Sequence, residues 1–303
     1  MPTTIHAAFS ANAEVTTSRE SKHEEKGALF EFDAHFGGGS ANTANALSQF
    51  GLDTRLMCLA GERRDFARAV FDFAASRVSF PVQTLEVLDK TSVAHYDDDR
   101  SHPNRGVTGM RGQILPHKQE FLRQELAKVQ IHSSDFVVCN GLLEPEAPFA
   151  QILLERTTMG RRIVNPKITF CSSGALLGFL AGKTDLLILN DKEWKTCDTT
   201  FGTVHDCGVR CIIVTEGKSG GTYSLDGSSG RFEPLIVDAP QYYTVGAGDW
   251  FVAGFLHHLL SLGKSLGTVT RSEFEACLQF AARVAGKKVT MFGVSNGPSL
   301  EEI

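Results

Sequence analysis

The chain has 303 residues, 42% of them hydrophobic, enough for one large α/β domain with a substantial core or for two smaller domains, and the absence of a long polar linker favours the single domain. A net charge of −5 and a pI near 6.1 exclude a general attraction to nucleic acid or anionic membranes, so any phosphate binding must be local. The seven cysteines are irregularly spaced and read as reduced, buried thiols, and Cys207 and Cys211 lack a second Cys/His pair at zinc spacing. The start of the chain does not resemble a signal peptide, and no apolar run is long enough to cross a bilayer. The expectation is a cytoplasmic protein with one domain over residues 1–303.

Residues 4–9 form the first predicted strand, which runs into Ser10-Ala11-Asn12-Ala13-Glu14. Residues 15–35 turn polar, with a charged stretch between β-like pieces at 14–17 and 28–32. This predicts two protruding strands, around 12–36, joined by an exposed turn. Glu14 reads either as a solvated loop acid or as a group aimed into a site. Gly37-Gly38-Gly39 then precede a helix from about Ser40 to Phe50, whose small residues Ala41, Ala44 and Ala46 allow close packing. By itself the glycine triplet is only a tight loop.

Beyond it, apolar runs at 56–59, 136–139, 186–189 and 211–214 are continuous enough to be strands buried on both faces, as in a covered parallel sheet. Segments 65–75, 118–129 and 146–156 carry helical spacing. That alternation predicts a doubly wound, mostly parallel α/β/α sandwich, with ligands at the carboxyl ends of its strands. Residues 96–100 and 104–106 read as an exposed strand end and turn, because neighbouring aspartates on an extended chain point to opposite faces. Arg105, Arg111 and Lys167 are alternative partners for an anionic substrate group. Asn190-Asp191-Lys192-Glu193 follows one apolar run directly, and Thr215-Glu216-Gly217-Lys218-Ser219-Gly220-Gly221 follows another.

Near the C-terminus, Thr244-Val245-Gly246-Ala247-Gly248-Asp249 leads into an apolar helix that carries Phe251, Val252, Phe255 and Leu256. Glycines at a helix N-terminus let amides converge where the dipole is positive, which makes an anion site. Asp249 by itself is also an ordinary first-turn residue. A last helix over about 274–285 precedes Phe292-Gly293-Val294-Ser295-Asn296-Gly297, and no Walker-type lysine loop is present.

The glycine triplet with Asn42, together with Gly246-Ala247-Gly248-Asp249, resembles the two signatures of the ribokinase-like (PfkB) carbohydrate kinase family. The segments at Asn190–Glu193 and Thr215–Gly221 are similar to two further motifs of that family. The resemblance implies a ribokinase-like fold with a small β lid and an ATP-dependent, Mg²⁺-requiring kinase acting on a small sugar. It implies Asp249 as the proton acceptor, with the amides of Gly246, Ala247 and Gly248 as an anion hole. Asn12, Glu14, Gly37, Gly38 and Asn42 would bind the sugar, with Gly37 and Gly38 presenting bare backbone and Glu14 standing where the family carries aspartate. Asn190, Thr215, Gly217, Gly220 and Asn296 would bind the nucleotide, and Glu193 would hold Mg²⁺ through water. The lid would exclude water and could pair two copies into a homodimer. Tyr243 replaces an aspartate that often serves a monovalent cation site, and Trp250 either narrows the pocket or packs in the core. An adenosine-like nucleoside kinase using Phe30, Phe32 or Phe36 around the base, and a catalytically weak sugar- or nucleotide-binding homologue, are the alternatives.

Overall fold

The computed structural model describes residues 3–19, 30–98, 107–238, 242–291, 293 and 296–303. In chain order its strands are β1 (Ile5–Phe9), β2 (Asn12–Arg19), β3 (Phe30–Gly37), β4 (Thr54–Ala60), β5 (Val82–Glu86), β6 (Val93–Asp98), β7 (Val107–Met110), β8 (Phe136–Leu142), β9 (Arg162–Pro166), β10 (Leu186–Asn190), β11 (Cys211–Thr215), β12 (Gly221–Leu225) and β13 (Ser228–Phe232). The helices are α1 (Gly39–Gln49), α2 (Phe66–Ala75), α3 (Gln119–Lys128), α4 (Ala147–Arg156), α5 (Ile168–Cys171), α6 (Leu176–Leu180), α7 (Asp191–Cys197), α8 (Phe201–Asp206), α9 (Ala247–Ser261) and α10 (Arg271–Lys288).

Nine strands form the main sheet, in the order β13-β12-β11-β10-β9-β8-β1-β4-β5, and every pairing is parallel except the two that β12 makes, with β11 and with β13. The apolar runs become central strands because each of their residues has a helix layer to pack against. Phe136 and Val138 face α1, α9 and α10, while Val137 and Cys139 face α3, α4, α5 and α6. Full burial of such a side chain is worth roughly 1.5–3 kcal/mol, so a polar substitution in either layer is strongly unfavourable. Trp250 belongs to the first layer: it is fully buried, meets Phe50 edge-on at 5.7 Å and leaves no room for a side chain at Gly297. All seven cysteines are free thiols.

The lid is larger than two strands. It is a four-stranded sheet, β3-β2-β6-β7, in which β6 runs parallel to β2 and β7 pairs antiparallel to β6. Residues 96–98, part of the segment read as an exposed strand end, are the last residues of β6 and pair with β2, and only Tyr96 of them also pairs with β7. The charged turn over 20–29, and residues 99–106 with Arg105, lie outside the described residues. The lid rests on α2, where Phe36 meets Phe71 edge-on at 4.8 Å.

β1 is the switch point of the main sheet, because the chain continues to β4 on one side and returns to β8 on the other. Such a reversal opens a crevice beyond the strand ends. At its mouth Phe9 has φ 77°, and the Ser10 amide donates to the Ala8 carbonyl at 3.3 Å. This strained γ-turn swings the Ser10 carbonyl onto the start of α1, where it accepts from the Ser40 and Ala41 amides at 3.0 and 3.2 Å. The first turn of α1 is thereby satisfied internally and holds no anion.

Candidate active site

The crevice is a cleft of about 1100 Å³ roofed by the lid, with α1 on one wall and the start of α9 on the other. Asn12, Glu14, Gly38, Asn42, Asn190, Glu193, Thr215, Gly246, Gly248 and Asp249 all border it. Segments separated by two hundred residues of sequence thus meet in one space. Gly37, Gly217, Gly220 and Asn296 are not among the lining residues.

Asp249 sits in the first turn of α9. Gly246, with φ 82°, is the N-cap, a left-handed conformation that costs glycine little and most other residues much. The Ala247 amide donates back to the Thr244 carbonyl at 3.2 Å and is not available to a ligand, contrary to the expectation from the motif. The Gly248 and Asp249 amides have no acceptor among the described residues, and the space in front of Gly248 is open. An anion at this helix end would therefore meet the Gly248 and Asp249 amides.

The carboxyl group is clamped from two sides. Asn42 Nδ2 donates to Asp249 Oδ2 at 2.8 Å, and Asn140 Nδ2 donates to Oδ1 at 2.9 Å. Because a carboxylate only accepts, these contacts also fix which way the two amides face. Asn42 therefore holds the acid in this structure, and its Oδ1 is buried without a partner. Asn140 was not anticipated. It ends an apolar run that reads as plain core, yet its amide also reaches Thr43 Oγ1 at 2.6 Å and the Gly39 carbonyl at 3.2 Å, tying β8 to α1 and α9. The one signal was a polar residue directly after four buried apolar positions, at a strand's carboxyl end.

Burial pushes the Asp249 carboxyl above the usual aspartate range, opposed by the Lys167 charge, the two asparagine donors and the Lys288 charge, in that order. The raised value makes it a stronger base than a solvated aspartate. Lys167 also bears on Glu146 and Glu193, and Glu146 is pushed up to about 7 by burial. Of the three candidate cations, Lys167 and Arg111 border the cleft.

Glu14 is not a solvated loop acid: it is 2% exposed and accepts from the Gly38 amide at 3.1 Å through Oε1. Its side chain lies where a Cβ on Gly37 would be, 1.8 Å from Glu14 Cδ. Gly37 is bare to admit Glu14, and Gly38, at φ 95°, is bare to pass the Ser10 and Ala11 backbone.

Asn190 and Glu193 form a capping box on α7. Asn190 Oδ1 accepts from the Lys192 and Glu193 amides at 3.0 and 2.9 Å, and Glu193 Oε2 accepts from the Asn190 amide at 2.9 Å. This spacing is thus explained by helix capping before any ligand is invoked. Glu193 also borders the cleft, and burial raises its carboxyl above the usual range. Thr215 ends β11, and the glycine-rich stretch after it turns the chain into the antiparallel strand β12. Residues 292, 294 and 295 lie outside the described residues.

The model of the pfkB family of carbohydrate kinases matches residues 10–302, and the chain belongs to that family of phosphotransferases. A curated relative, acarbose 7(IV)-phosphotransferase of Actinoplanes sp., is 31% identical over 118 residues, which is 37% of this chain and 36% of that protein. Among solved structures, ribokinase from Giardia lamblia superposes with a TM-score of 0.71 at 16% identity, covering 100% of this chain and 97% of that one. Phosphofructokinase-2 from Escherichia coli in complex with potassium gives 0.71 at 18% identity, with 99% and 96% covered. The nucleoside kinase of Burkholderia thailandensis in complex with inosine gives 0.68 at 19% identity, with 99% and 95% covered.

Proposed function

We propose that the chain transfers the terminal phosphate of ATP to a hydroxyl of a monosaccharide or a closely related small sugar. The observation that supports this most is the Asp249 carboxyl, held by Asn42 and Asn140 at the cleft edge beside the open Gly248 and Asp249 amides. A base and an anion cradle stand side by side, as an alcohol-to-phosphate transfer requires.

In this reading the acceptor hydroxyl lies against Asp249, which receives its proton. Phosphoryl transfer passes through a loose transition state, so the proton leaves late and positioning matters more than basicity. The Gly248 and Asp249 amides stabilise charge on the transferred group, an effect commonly worth about 3–4 kcal/mol per well-placed donor. Asn12, Glu14 and the Gly38 backbone border the acceptor end, and Asn190 and Thr215 the nucleotide end. The lid sheet keeps water from competing with the sugar.

No cluster of three or more metal-ligating side chains occurs among the described residues, which fits an ion carried mainly by the nucleotide and by water. Glu193, which borders the cleft and commits one oxygen to the α7 cap, is the residue that would hold Mg²⁺ through water. Bound there, Mg²⁺ would neutralise phosphate charge. A cytoplasmic location, a single domain over 1–303 and a homodimer through the lid belong to the same proposal, and sedimentation tests the last.

The nucleoside reading loses one support, because Phe36 is buried against Phe71 and cannot stack on a base. The side chains of Phe30 and Phe32 lie outside the described residues. The test is ADP release across sugars, sugar phosphates, deoxy-keto acids and nucleosides. Turnover with a sugar is expected, turnover confined to nucleosides would favour a nucleoside kinase, and none at all would favour a binding protein.

A further inference from the structure

Lys288 is the most deeply buried cation of the described structure and has no assigned part in the chemistry. It closes α10 and is fully buried, with no carboxylate within ion-pair distance among the described residues. Its Nζ donates to two backbone carbonyls, Met291 at 3.2 Å and Gly293 at 2.8 Å. The same turn is joined to the stretch that enters α9, because the Tyr243 amide donates to the Val289 carbonyl at 2.7 Å. The ammonium therefore lies behind the helix start that carries the Gly248 amide and Asp249.

Burying an ammonium is expensive, and a lysine that only closed a helix could do so from the surface with its head in water. Here burial drives the ammonium down to about 8 while the Asp249 charge opposes that shift, so the cation's field reaches the proposed base. Converging carbonyl oxygens are also the coordination that a dehydrated potassium ion accepts, and an ammonium head is of similar size and equal charge.

We infer that the Lys288 ammonium is a built-in monovalent cation, which ties the Met291 and Gly293 carbonyls to the end of α10 beside the entrance to α9 and makes an added potassium ion unnecessary. This rests on the kinase reading for its catalytic consequence but not for its structural one. Lys288 is a positioning residue: it acts through the turn and through Asp249 and does not border the cleft.

The experiment compares the wild-type chain with Lys288→Ala and Lys288→Met in tetramethylammonium chloride, potassium chloride and ethylammonium chloride at constant ionic strength. Two readouts are taken, the melting temperature and the acceptor-dependent kcat and KM. Wild type is expected to melt and turn over equally in all three salts. Lys288→Ala is expected to lose kcat on the order of tenfold or more in tetramethylammonium, the scale of one buried charge-assisted contact, with little change in sugar KM. Potassium or ethylammonium should restore much of that loss and raise the melting temperature of Lys288→Ala. Lys288→Met, which fills the space, should gain nothing from either salt. A wild type that needs potassium for activity or stability would overturn the inference. So would a Lys288→Ala protein whose melting temperature ignores both cations, because a plain helix cap cannot be replaced from solution. If no acceptor is turned over, the melting data still decide the point, so failure of the kinase reading is seen separately. Should both variants fail to fold, the salt dependence of the wild type alone decides.

Discussion

Asp249 has two opposed requirements, since it must be ionised to take a proton and shielded enough to want one. Burial supplies the second, while Asn42, Asn140 and the charges of Lys167 and Lys288 keep the first within reach, with Glu193 acting against them. The sign for activity follows: the rate falls as pH drops through a value raised above the ordinary 3.8, where Asp249 protonates. Asn140→Ala removes a donor to the ionised form and should move that acid limb further up, by up to about one pH unit. It should also destabilise the fold by roughly 1–3 kcal/mol, because Asp249 Oδ1 loses its donor and the Gly39 carbonyl and Thr43 hydroxyl each lose one of their hydrogen bonds. A pH–rate profile and a denaturant titration check both. For stability the sign reverses, because a carboxyl whose folded value is raised favours the fold at low pH and opposes it once ionised. Asp249→Asn should therefore melt no lower than wild type at neutral pH. The new amide needs an acceptor where Asn42 now donates, and a turn of the Asn42 amide offers its unpartnered Oδ1. A clear drop in melting temperature would mean that the carboxylate is a structural group.

At the scale of elements, the pairing of β3 with β2 explains why Gly37 is glycine. Glu14 fills the volume of the missing side chain, and it is buried at the border of the cleft. Gly37→Ala is expected to push Glu14 into the acceptor end and raise the sugar KM, with a stability loss of about 1–3 kcal/mol from overpacking. Adding Glu14→Asp, one methylene shorter, should recover part of both effects, and kinetics and melting of the single and double variants test this. Neither contact was legible in the sequence, where Gly37 read as flexible backbone and Glu14 as ambiguous. The strands β4, β8, β10 and β11 were legible because burial on both faces leaves unbroken apolar runs. β9 was not, since Arg162 starts it and forms a buried pair with Asp185 at 2.7 Å that no periodicity reveals. The strands β12 and β13 were missed because their Ser, Thr and Gly composition reads as turn.

For the whole molecule, the doubly wound order creates the site, because reversal of the chain at β1 sets the start of α1 and the end of β8 beside one crevice. The motifs at Gly38–Asn42 and Gly246–Asp249 could be found in the sequence because glycine is demanded where backbone approaches backbone, as at Gly38 and Gly39, and where the chain turns left-handed, as at Gly246. What they do in space was only partly legible. Asn42 grips Asp249, the Ala247 amide is spent within its own turn, and Asn140 completes the clamp from a strand end that reads as core. The measurement that tests this account most directly is acceptor-dependent ADP release by wild type and Asp249→Asn, alongside nucleotide affinity. The variant's kcat is expected to be lower by about 10²–10⁴-fold with nucleotide binding nearly unchanged. A variant that retains close to the wild-type rate would remove Asp249 from the chemistry and contradict the account.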